Sequence, residues 1–108
     1  MPLYMTQFTY TSDAWAKLVK NPEDRSEVLG ELLDNMGGRL IAFYYGRGEY
    51  DGVFLYETPD EATANATVFA ALSPGHVKAV KTTELFTVDA IMEALRKAGS
   101  VTYRGPGE

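Results

Sequence analysis

Apolar and polar positions along this chain change period several times, and each change marks an element. From Leu3 to Thr11 aromatic, β-branched and hydroxyl residues dominate before a Ser12-Asp13 stop, which predicts a first strand. Thr11 or Ser12 then caps a helix that begins near Asp13. That helix is interrupted at Asn21-Pro22, where Asn21 reads as an N-cap and Pro22 as the first residue of a new helix. Glu23 and Asp24 complement its positive end. In this longer piece Val28, Leu29, Leu32, Leu33 and Met36 fall on one face, which must be buried, and Gly37-Gly38 ends it.

Arg39 to Tyr45 follows as a second strand and Asp51 to Glu57 as a third, joined by a hairpin loop through Gly46-Arg47-Gly48-Glu49. Thr58-Pro59-Asp60-Glu61 supplies a cap, a first-turn proline and a capping-box glutamate for a helix running to about Leu72. Ser73-Pro74-Gly75 stops it, and His76 to Leu85 alternates as a fourth strand. Thr87 caps a last helix with the stripe Val88, Ile91, Met92 and Leu95, stopped at Gly99. Residues 1–100 thus read as a single domain and residues 101–108 as a flexible C-terminal tail.

The order β-α-β-β-α-β with an extra C-terminal helix is an α+β, ferredoxin-like arrangement, with helices on one face of a four-stranded sheet. The other face poses a problem, because Tyr4, Met5 and Phe8, then Leu40 to Tyr45, then Val53 to Tyr56 are apolar at both parities. A strand apolar on both sides is covered on both sides. One further helix is too small for that task, whereas a second copy of the sheet would suffice. A twofold homodimer with sheets face to face is expected.

Composition narrows the function classes. A chain of 108 residues with 45% hydrophobic and 23% charged residues is sized and balanced for one folded domain. Its net charge of −5 argues against nucleic acid as a partner. The absence of cysteine removes disulfides, thiolate metal sites and a cysteine nucleophile together. No basic leader followed by an apolar core opens the chain, and no run reaches the ~18 apolar residues of a membrane span. A cytoplasmic protein without membrane attachment is the expectation.

The residues Tyr45-Gly46-Arg47-Gly48-Glu49-Tyr50-Asp51, followed by Glu57-Thr58-Pro59-Asp60-Glu61, carry a resemblance. The chain resembles the GYD domain family, with Gly48, Tyr50 and Asp51 matching its Gly-x-Tyr-Asp turn, from Tyr4 to about Lys97. It departs from the family pattern at Gly52, where a bulky apolar residue is more usual, and at Pro74 and His76. The resemblance implies a dimeric α+β barrel, in which two ferredoxin-like sheets close against each other. Similar barrels serve as cofactor-independent oxygenases, isomerases, haem enzymes and ligand-sensing modules, and the fold does not choose among them.

Candidate chemistry is sparse. His76 is the only histidine, hence the first place to seek a proton carrier, although a lone histidine at a strand end is ordinarily a surface residue. It has no histidine partner, so no metal set is read. Glu49-Tyr50-Asp51 places two carboxylates and a phenol at the hairpin; turn chemistry accounts for Asp51, less so for Tyr50. Gly46-x-Gly48 lies between strands and not before a helix, so it is no phosphate loop. Tyr10, Trp15, Tyr44 and Tyr45 could instead line an aromatic pocket, or pack in the core.

The expectation is a dimeric barrel binding a small, partly aromatic molecule with no tightly bound cofactor. His76 and Tyr50 are the catalytic candidates, and Tyr10, Trp15, Tyr44 and Asp51 the ligand-binding ones. The alternatives are a cofactor-independent oxygenase or isomerase, and a dimerisation module with no ligand.

Overall fold

The computed structural model describes residues 1–108. Its elements are β1 (Leu3–Tyr10), α1 (Ser12–Lys20), α2 (Arg25–Asn35), β2 (Arg39–Tyr45), β3 (Gly52–Glu57), α3 (Glu61–Leu72), β4 (Val77–Leu85) and α4 (Val88–Gly99). The sheet order is β2-β3-β1-β4 with every neighbouring pair antiparallel, the ferredoxin-like α+β arrangement. The expected order of elements is therefore the observed one.

Two helix starts differ from the sequence reading, in the same way. Asn21 closes α1, its N–H donating to the Lys17 carbonyl, and α2 is capped by Asp24, whose Oδ1 accepts from the Ser26 and Glu27 amides. Likewise α3 is capped by Asp60, which accepts from the Thr63 amide at 2.8 Å. Thr58 is instead fully buried, donating its hydroxyl to the Asp60 carbonyl at 2.7 Å. In both segments the proline lies in the lead-in and the following aspartate takes the cap. A carboxylate accepts backbone N–H groups and also complements the positive end of the helix, so it outcompetes the neutral side chain upstream.

Other ends follow the reading. Thr11 and Thr87 cap α1 and α4 through bonds of 3.1 Å to the Ala14 and Ala90 amides. After α2 the Gly38 amide donates to the Leu33 carbonyl and the Gly37 amide to that of Asp34, with Gly37 at φ 79°, a Schellman closure that suits glycine. Gly38 is also pressed against the sheet, where a β-carbon would stand 2.5 Å from the Glu57 carbonyl oxygen.

Burial alternates from Leu3 to Thr9 in β1 and throughout β3, so one parity is buried there and the other only partly so. Tyr4, Thr6 and Phe8 of β1 lie opposite Tyr56, Phe54 and Gly52 of β3, and this face receives the helices. Its core unites Tyr4, Phe8, Leu33, Phe54, Tyr56 and Ala64. Gly52, the residue at odds with the family pattern, has a physical reason here. A β-carbon at position 52 would stand 2.3 Å from Phe8 Cζ, so the phenyl ring occupies the space that a side chain would need.

The opposite face is bare. It carries Leu3, Met5, Val53, Leu55 and Leu85, with Tyr44 at its edge, and no helix lies over it. Lys81, paired across from Gln7, is exposed on that side. Nor does α4 cover it, because none of its residues is buried and Val88 and Leu95 are 78% and 59% exposed. The chain is drawn out to 62 × 33 × 21 Å, and its radius of gyration is 17.9 Å. A compact domain of this length would have about 13 Å.

Substituting Gly52→Val should lower stability by about 1–3 kcal/mol through overpacking against Phe8. Phe8→Leu should recover part of that loss in the double variant, making the two changes non-additive. Urea unfolding of the four variants measures this; strict additivity would show that the ring and the missing side chain do not share the space.

Candidate functional site

The helices do not close evenly on the sheet. Leu33 near the end of α2 and Ala64 near the start of α3 seal one end of the covered face, at Tyr4 and Tyr56. Toward the other end α1, the first turns of α2 and the last turns of α3 stand apart, leaving a cavity of about 680 Å³. That volume lies within the range of small-molecule sites, ~300–1,000 Å³. Phe8, Phe43 and Phe54 form its floor, and Val28, Leu29 and Val68 are among the aliphatic walls. The rings of the floor are in mutual contact, with Phe43 and Phe54 stacked at 6.2 Å and Phe8 tilted against both.

Polar groups are few. The hydroxyl of Thr6, which also lines the cavity, is committed to Tyr56 Oη and Thr82 Oγ1, each at 2.8 Å. Tyr10 and His76 line the cavity at the open end, where the Thr11 amide donates to the His76 carbonyl. Lys17, Lys20, Glu23 and Arg25 border it from the α1–α2 junction. No three His, Asp or Glu side chains converge on one point, so no metal centre is drawn from them.

Beside the cavity the hairpin loop forms a second, shallow cleft lined by Trp15, Tyr45, Gly46, Arg47, Gly48 and Asp51. Asp51 holds it together. Its Oδ2 accepts from the Tyr10 amide at 2.9 Å and from Trp15 Nε1 at 3.1 Å. The Asp51 amide donates to the Phe8 carbonyl, and its carbonyl accepts from the Gly46 amide. Tyr10 and Tyr45 meet through their hydroxyls at 3.3 Å, and Trp15 stands edge-on to Tyr10 with ring centres 5.2 Å apart.

The six residues singled out from the sequence therefore fall into separate groups. Tyr10 and His76 share the cavity; Trp15 and Asp51 join Tyr45 in the adjoining cleft. Tyr50, half-buried in the loop, lines neither. Tyr44 points to the bare side of the sheet and is 64% exposed, because the register of β2 shifts between Leu40 and Ala42. That bulge exchanges the parities, sending Phe43 and Tyr45 to the covered face in place of Ala42 and Tyr44. The cations at the cavity border were not singled out. The signal for them was present in Lys17 and Lys20, one turn apart on α1, and in Arg25 just past the Asn21-Pro22 break.

Burial and the bond to Tyr45 push the Tyr10 phenol well above the ordinary tyrosine range, opposed by the nearby Arg25 guanidinium. Burial also raises the Tyr56 phenol, while the neighbouring hydroxyls of Thr6 and Thr82 pull it back.

Comparison with known proteins places this geometry in a family. The model of the GYD domain matches residues 4–95. The chain belongs to the GYD domain family. A relative from Thermus thermophilus, the glutamine synthetase and cystathionine beta-lyase binding protein, is 36% identical to this GYD domain over 91 residues, covering 84% of this chain and 96% of the relative. Two solved structures share the fold of the GYD domain. The crystal structure of MtbAldR superposes with a TM-score of 0.58 at 15% identity, over 80% of this chain and 53% of that one; this chain spans about half of MtbAldR's length. The 30S ribosomal protein S6 of Thermotoga maritima superposes with a TM-score of 0.50 at 13% identity, over 91% and 97% of the two chains.

Asp51→Ala removes two accepted hydrogen bonds and should cost about 2 kcal/mol. Since Trp15 is the only tryptophan of the GYD domain, its emission should change in the folded variant. An unaltered spectrum would mean that the indole does not depend on the carboxylate.

The raised phenols set a pH dependence. Their stabilising contribution is complete below the unfolded tyrosine pKa of about 10 and is lost as pH rises beyond it, because the unfolded chain then releases protons that the folded phenols keep. Stability measured by urea unfolding should therefore fall from pH 9 to pH 11. Tyr56→Phe should make that fall shallower while lowering stability at pH 7 by about 1 kcal/mol through the lost bond to Thr6.

Proposed function

We propose that this GYD-domain protein is a binding protein that assembles as a sheet-on-sheet homodimer, a dimeric α+β barrel, and holds a small, partly aromatic molecule in the cavity between sheet and helices. The observation that carries the reading is that cavity of about 680 Å³, with aromatic floor, aliphatic walls and polar groups, Tyr10 and His76 among them, gathered at one end. In this reading Tyr10 and His76 orient the ligand, and Trp15 and Asp51 fix the position of Tyr10 from the adjoining cleft. Assembly draws its support from the bare face, where Met5, Val53 and Leu55 form an apolar centre that a second sheet would cover. The oxygenase or isomerase alternative would use a tyrosine or His76 to move a proton; of its two candidates, His76 lines the cavity and Tyr50 does not.

A second reading, docking of another protein, is favoured by one observation. The apolar stripe Val88, Ile91, Met92 and Leu95 of α4 is exposed, and a 12-residue helix is marginal alone in water. The name of the Thermus thermophilus relative, a binding protein for two enzymes, points the same way.

Sedimentation at micromolar concentration should show a dimer, and Leu55→Asp a folded monomer. The neutral fluorophore N-phenyl-1-naphthylamine should bind the wild-type protein once per chain, at least tenfold more tightly than Ala71→Trp, which fills the cavity. A monomeric wild type would overturn the assembly, and equal binding by the filled variant would overturn the ligand site. Cosedimentation with glutamine synthetase, abolished by Ile91→Glu with Leu95→Glu, would decide for the second reading.

A further inference from the structure

The charge around the cavity runs against the charge of the chain. The chain has 10 Lys and Arg against 15 Asp and Glu, a net −5. The ionised side chains at the cavity are Lys17, Lys20 and Arg25 against Glu23, a local balance of 3 − 1 = +2 before His76 is counted. No other acid lines it, and its interior walls are apolar.

These cations gather by construction of the fold. Lys17 and Lys20 lie on the last turns of α1, Arg25 opens α2, and the short Asn21–Asp24 link between them runs along the open end of the cavity. Tyr10 and His76 belong to the same end, since Tyr10 is paired with Val77 and the Thr11 amide is bonded to the His76 carbonyl. A ligand lying on the phenylalanine floor would thus have its polar end among these groups and its apolar body away from them.

The cations are only loosely committed. Lys17 meets Asp13 at 3.2 Å with both side chains more than 60% exposed, and Lys20 has no ion-pair partner. Arg25 is bonded to Glu23 at 2.9 Å, a pair of neighbours near the surface. Such exposed pairs hold by little and are readily exchanged. A carboxylate, in contrast, offers a guanidinium two parallel hydrogen bonds. Arg25 also stands close enough to oppose the rise of the Tyr10 phenol, so cation and phenol face one region at the cavity's open end.

The geometry points to an organic monocarboxylate with an aryl or alkyl body as the ligand class of this cavity, its carboxylate held by Arg25 and Lys20 with Tyr10 beside them. This inference rests on the ligand-binding reading above and adds to it the sign of the ligand's charge. Long-range attraction cannot mimic the result, because a chain of net charge −5 would draw cations and not anions.

Three probes with one body separate the cases: 3-phenylpropanoate, 3-phenylpropan-1-ol and 3-phenylpropylammonium, titrated calorimetrically into the full chain at low salt. The carboxylate should bind at least tenfold more tightly than the alcohol, with the ammonium weakest. Arg25→Gln with Lys20→Gln should bring the carboxylate to the level of the alcohol and leave the alcohol unchanged, whereas Arg96→Gln on α4 should alter neither. Decanoate in the same titration distinguishes an alkyl from an aryl body. Equal binding of all three heads would overturn the charge inference and leave the cavity reading standing. Binding of N-phenyl-1-naphthylamine with no binding of either carboxylate would do the same. Failure of every probe, the neutral fluorophore included, would overturn both.

Discussion

The carboxylate of Asp51 joins three parts of the chain that sequence keeps well apart. Through one oxygen it holds the backbone at the end of β1 and the indole of α1, while its own backbone bonds to Phe8 and Gly46 tie the β2–β3 hairpin into the same knot. The position of Tyr10 follows from this, and so does the open end of the cavity. Next to it, Gly52 leaves room for the Phe8 ring, which any side chain at position 52 would displace. The Gly-x-Tyr-Asp turn thus earns its place through its aspartate, as a fastening at the sheet's end.

The order and nearly all the boundaries of the elements were legible in the sequence, because period and punctuation agreed: alternation in β1 and β3, a helical stripe ending at Gly37-Gly38, hydroxyl caps at Thr11 and Thr87. Two caps differ from the expectation because Asn21-Pro22 and Thr58-Pro59 look like complete signals. The capping-box spacing of Asp24 to Glu27 was present as well, and the charged side chain prevails. The site was less legible. A single inserted residue in β2 moves Tyr44 to the far side of the sheet, and nothing local to Arg39–Tyr45 announces it. The basic border of the cavity depends on two helices meeting at an angle, which only tertiary packing sets.

The two faces of the sheet solve the burial problem differently. On the helix side, the core around Leu33 and Tyr56 is tight and every buried side-chain polar atom has a partner, including the chain Thr82–Thr6–Tyr56. Toward Phe8 and Val80 the same face is left unfilled by the chain itself. The other side presents a row of aliphatic residues with no cover from α4. Apolar surface left unpaired to this extent on a small domain is what supports the proposed association, since monomeric domains of this size have little core to spare.

The strand order has a consequence for how the protein is made. β1 comes first among the strands of this sheet, yet it lies inside it, flanked by β3 and β4. Leu3 pairs with Glu57 on one side and with Leu85 on the other, so both partners lie far downstream of it in the sequence. Closing loops of this length before any contact rewards them slows folding and raises the contact order. Until β4 pairs with it, that edge of β1 stands open to strands of other chains, a hazard that closing the sheet removes.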